Sequence, residues 1–143
     1  MQTECNTDRL GFQPLEKREI VGIFDGGAIT SDAGGLLLRE VDAKTEIMGR
    51  FAECFTDYRD GERIEHSVAE LVAQRVYGLA LGYEDLNDHD QLRHDPLMAV
   101  LAGKDDPTGQ DRARERDRGK ALAGKSTLNR LELSPSRADE NSR

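Results

Sequence analysis

No apolar run in this sequence is long enough to cross a bilayer, and its opening residues, MQTECNTDRLGFQPLEKRE, hold no apolar core of a secretory signal. A cytoplasmic address and no membrane partner are therefore expected. Cysteine is nearly missing. Cys5 sits in a polar stretch and Cys54 in a predicted helix, which excludes a disulfide framework and offers no metal-ligand spacing. With 143 residues the chain has room for one modest core, not two. It also lacks positive charge: the net value of -8 argues against broad contact with phosphates. The distribution of charge says more than its sum. Residues 1–100 carry 20 acidic and 10 basic side chains, whereas residues 101–143 carry 8 and 10. An acidic body with a locally basic arm results.

What is present is organised around residues 66–96, HSVAELVAQRVYGLALGYEDLNDHDQLRHDP. Ser67 and Glu70 have the spacing of a capping box, and the apolar residues after them predict a helix from Ser67 to Leu81 that ends at Gly82. Being apolar on most faces, it should form the centre of the core. Ser31 and Asp32 are candidate caps for a helix carrying Leu36, Leu37, Leu38 and Val41. A second helix is expected from near Thr45 through Ile47, Met48, Phe51 and Phe55, and Asp95-Pro96 should start a short one that stops at Gly103. The run Ile20, Val21, Ile23, Phe24, followed by Asp25-Gly26-Gly27 and Ala28-Ile29-Thr30, predicts a hairpin. The expectation is a mainly α fold with a short N-terminal β-hairpin (α+β). Residues 1–18 are a flexible arm, 19–103 a helical domain, and 104–143 a charged linker and tail, with both arms disordered. Residues 104–120 alternate arginine with acid and hold almost no large apolar group, so they should be solvated. A short helix is expected from Ser126 to Leu133, with Ser126 as its cap.

Three candidate sites stand out. Residues 119–126, GKALAGKS, satisfy the phosphate-loop pattern, but the preceding DRARERDR cannot make the buried strand that such a loop requires. Coincidence is the better reading. His66, His89-Asp90 and one of Asp105, Asp106 or Asp111 follow the order found in HD-type metal-dependent phosphohydrolases, where a bound ion lowers the pKa of water. Hydrogen bonding at a helix junction explains the same residues more simply. Seven basic residues, Arg112, Arg114, Arg116, Arg118, Lys120, Lys125 and Arg130, face only two acids in the same span and are the candidate DNA contacts. No aromatic residue lies among them to stack on bases.

Residues 24–42 (FDGGAITSDAGGLLLREVD), 63–103 (RIEHSVAELVAQRVYGLALGYEDLNDHDQLRHDPLMAVLAG) and 123–132 (AGKSTLNRLE) resemble the N-terminal region of bacterial insertion-sequence transposases of the DDE group 1 class. The resemblance implies an enzyme that cuts at the ends of a mobile DNA element and joins the freed 3′ ends to a target. In that family three carboxylates on a ribonuclease H-like core hold two divalent ions, so Mg2+ is expected for the intact enzyme. The first aspartate should follow the segment matching STLNRLE on an apolar strand. Only SPSRADENSR follows here, so no catalytic residue transfers and the chain is expected to be truncated before the catalytic core. Such a portion would be inactive by itself, hold no cofactor, and act in binding insertion-sequence DNA ends or in pairing with a second copy. The alternative is a noncatalytic dimerisation module that inhibits intact transposase.

Overall fold

The computed structural model describes residues 9–23 and 30–133. Strands β1 (Arg9–Leu15) and β2 (Arg18–Ile23) pair antiparallel, from Arg9 opposite Ile23 to Leu15 opposite Arg18, with a register shift between Phe12 and Leu15. Glu16 and Lys17 make the turn, Glu16 at a φ of 50°. The hairpin is thus present, but its partner strand precedes residues 20–23 instead of following them. Residues 9–15, read as part of a flexible arm, are that strand, and the expected Asp25-Gly26-Gly27 turn lies outside the described residues. Hydropathy missed β1 because all of it except Phe12 and Leu15 is exposed. Its anchorage is polar: Arg39 Nη1 donates to the Gln13 carbonyl oxygen over 2.7 Å, while Phe12 and Ile20 rest on the core.

Helix α1 (Gly35–Thr45) begins at Gly34 with no side-chain cap. Asp32 does not cap it, because its carboxylate accepts the Tyr83 hydroxyl at 2.7 Å and so ties α1 to a residue 51 positions away. Glu46, at φ 54°, ends α1 and starts α2 (Ile47–Ala52). Phe55 lies beyond α2, with its ring 5.3 Å from that of Phe51 at 82°.

Helix α3 (Val68–Ala80) is the central element. Both halves of the capping box form, Ser67 Oγ accepting from Glu70 N and Glu70 Oε2 from Ser67 N. Leu71, Val72, Ala73, Gln74, Tyr77 and Gly78 are buried. Short helices follow: α4 (His89–Leu92) and α5 (Pro96–Leu101), the latter capped by Asp95 as its sequence predicts. Met98, Ala99 and Leu101 of α5 pack against Ala73 and Tyr77 of α3. Helix α6 (Lys125–Glu132) places Leu128 against Leu71. Gly124, not Ser126, is its N-cap, and Asp90 of α4 accepts from the Lys125 backbone N–H.

The largest departure from expectation is residues 104–124. They form a folded strap, not a solvated linker. Ala121, Leu122 and Ala123 are each 2% exposed and belong to the core. The polar part is ordered by its own side chains: the Asp106 carboxylate accepts from Thr108 N, Thr108 Oγ1, Gln110 N and Asp111 N. Four donors on one carboxylate hold its pKa down to about 2. Gly109, at φ 68°, lets the two limbs of the strap close, since a Cβ there would stand 2.5 Å from Ala121 N. Gln74 completes the fit by accepting from Ala123 N and donating to Ala123 O at 3.1 and 2.8 Å. An apolar census cannot see this kind of order, which rests on hydrogen bonds satisfied locally and across the chain.

Candidate nucleic-acid interface

The strap, the 54–66 loop and the flank of α6 enclose an open groove of about 1100 Å3. Seven basic side chains line it, Arg59, Arg63, Arg93, Arg112, Arg114, Lys120 and Arg130, against the five acids Asp57, Glu62, Glu65, Asp90 and Asp117. Several of those acids are already engaged. Asp57 holds Arg59 in a two-point fork of 2.7 and 2.6 Å, and the Arg59 guanidinium keeps the Asp57 carboxyl below its usual range. Asp90 is bound at the N-terminus of α6, where the Lys125 backbone N–H holds its pKa down. Glu65 pairs with Arg112 and Asp117 stands 3.8 Å from Lys120. Three of these acids are thus paired with the groove's own cations, and the lining keeps a surplus of basic over acidic side chains on a chain whose net charge is -8.

The candidate DNA contacts divide in two. Arg114 and Arg130 are exposed and line the groove, and Lys120 lines it while donating to the Arg116 carbonyl oxygen at 2.6 Å. Arg116 and Arg118 are exposed on the strap outside the groove lining. Lys125 turns to Asn87 and Asp90, at 2.9 and 3.5 Å. Arg112 points inward: its side chain is 11% exposed, and its guanidinium donates to His66 Nε2 at 2.8 Å, Lys120 O at 2.9 Å and Glu65 Oε2 at 2.5 Å. Its first duty is holding the strap. Arg59 and Arg63 carry no sequence signal of this role, because TDYRDGER reads as a turn and nothing local says that it faces the strap; Arg93 follows α4, and only the fold brings it to the groove. The same loop brings two aromatic residues, Phe55 and Tyr58, to the groove.

The histidines have structural duties. A guanidinium can only donate, so the Arg112 bond makes His66 Nε2 an acceptor and puts the proton on Nδ1. Burial, then the cations of Arg112 and Lys104, push the His66 pKa down to about 3. His89 is fully buried and its pKa is likewise lowered, chiefly by burial. Gln74 spends one N–H on Ala123 O, so its other N–H faces His89 Nδ1 at 3.2 Å. Among the described residues no three His, Cys, Asp or Glu side chains converge as a metal site. The phosphate-loop letters fall on Gly119, the buried residues 121–123 and the first turn of α6, so the backbone between the two glycines is packed in the core, not wrapped around a ligand. Among the described residues no helix is long and apolar enough to cross a membrane.

A family model described as transposase DDE domain group 1 matches residues 12–143. No curated protein and no solved structure matches the chain.

Proposed function

This chain belongs to the transposase DDE domain group 1 family, and we propose that residues 9–133 serve it by gripping the ends of the mobile DNA element. One observation carries the reading: basic side chains from the 54–66 loop, the strap and α6 converge on one groove of an acidic chain. Such a surface excludes phosphate backbones elsewhere and attracts them there, which gives both affinity and orientation. The cutting and joining steps are assigned no residue in this region. The two divalent ions implied for the family do not fit its donors. Asp85 and Asp95 spend their carboxylates on helix caps, Asp106 on its turn and Asp90 on α6. A cytoplasmic location, where element DNA is found, goes with this reading.

The test is fluorescence anisotropy of element-end duplex with the wild type and with Arg63→Ala/Arg114→Ala/Arg130→Ala. At moderate salt the triple change should cost about tenfold or more in affinity and should flatten the dependence on salt by up to roughly three phosphate contacts. Unchanged affinity and slope would remove the groove from DNA binding.

Subunit pairing is a second reading, favoured by an apolar row on the outside of α1. Leu37 and Val41, one turn apart, are 63% and 55% exposed, and Ile47 and Phe51 of α2 are exposed as well. Under this reading a Leu37→Glu/Val41→Glu protein sediments as a monomer where the wild type sediments as a dimer. A wild type that stays monomeric at high concentration rules it out.

A further inference from the structure

Tyr58 stands out in the groove. It is 71% exposed and lines the cavity, and among the described residues its ring has no aromatic partner. Its backbone is nevertheless held in place. Asp57 Oδ1 accepts from Arg59 N at 3.1 Å, closing a turn over Tyr58, and the two-point Asp57–Arg59 fork locks that turn from the side-chain end. Phe55 lies on the same wall, held at its edge by Phe51. An exposed aromatic ring on a braced turn, among cationic side chains, is the arrangement that stacks nucleobases. A base shows its face only when it is unpaired or at an end, because in a duplex both faces are covered by neighbours.

Resting on the proposal that the groove grips DNA, we infer that it takes DNA whose duplex opens into at least one unpaired base, with Tyr58 as the stacking platform. Arg63 and Arg114 would hold the phosphates on either side. The groove then distinguishes a frayed or flanked end from the interior of a duplex without reading base edges. That is a useful property for a protein that must find ends.

The experiment uses the full chain and three DNAs of one sequence: a blunt duplex, the same duplex with an unpaired 3′ extension, and the single strand. Wild type should bind the extended duplex about tenfold more tightly than the blunt one. Tyr58→Ala should abolish that preference, Tyr58→Phe should retain it, and Arg114→Ala should weaken both substrates alike. Because the chain has no tryptophan, Tyr58→Trp supplies a single indole whose emission should be quenched by the extended duplex and little by the blunt one. Equal wild-type affinity for blunt and extended DNA overturns the inference while leaving DNA binding in the groove intact, as does a preference that survives Tyr58→Ala. Failure to bind any of the three DNAs overturns both.

Discussion

Replacing Arg112 with alanine lowers the thermal midpoint by roughly 10 °C, a loss of about 3 kcal/mol. The guanidinium is the one donor shared by His66, the Lys120 carbonyl and the Glu65 carboxylate, and it joins the strap to the start of α3. Truncation strands all three acceptors in a mostly buried place. Breaking a buried ion pair costs about 3–5 kcal/mol, and Glu65, at 30% side-chain exposure, can recover some hydration, so the lower end applies. Lysine rescues little, because one ammonium cannot reproduce a planar fork that serves three acceptors. Arg114→Ala, on the surface of the same strap, should change stability by less than about 0.5 kcal/mol. Thermal melts followed by circular dichroism separate the two; equal, small effects would mean that the strap is not fastened through Arg112.

Acid should unfold the protein earlier than its carboxylates alone would. His66 titrates near 6.5 in the unfolded chain but at about 3 when folded, so between these values the unfolded state holds a proton that the folded state refuses. Stability is complete above pH 6.5 and falls as pH drops through that window, by about 1.4 kcal/mol per pH unit. His89 adds to the slope in the same direction, since its pKa is also lowered by burial. Asp106, with its pKa held near 2, withdraws its own contribution only below the ordinary aspartate range. Urea unfolding at pH 7, 6, 5 and 4.5 should thus show a steady decline. His66→Gln, whose amide oxygen can still accept from Arg112, should reduce the slope by about one proton. A wild type equally stable from pH 7 to 4.5 would contradict the buried, neutral placement of His66.

The features legible in the sequence are those set by neighbours in the chain. The Ser67–Glu70 box and the Asp95-Pro96 start need only three or four consecutive residues, and both form as read. The central, buried position of α3 follows from its apolar run. The structure departs from the sequence pattern where a side chain that looks local is spent at a distance. Asp32 bonds Tyr83 instead of capping α1, and Ser126 yields its place at α6 to Gly124, with Asp90 receiving the first N–H. The strap was invisible for the same reason. Its order depends on Gln74 meeting Ala123, 49 residues on, and on Arg112 meeting Glu65 and His66. For the groove, the basic residues of the strap were visible, whereas Arg59, Arg63, Arg93 and Tyr58 were not. Only folding sets the 54–66 loop opposite residues 112–114.

The most direct test of that groove is amide hydrogen exchange of the full chain with and without element-end DNA. Protection is expected on residues 56–63, 112–118 and 124–130, with α1 around Leu37 and Val41 unchanged. Protection confined to α1 and the hairpin, with the groove exchanging as in the free protein, would contradict DNA engagement there and move the interface to the exposed apolar row of α1.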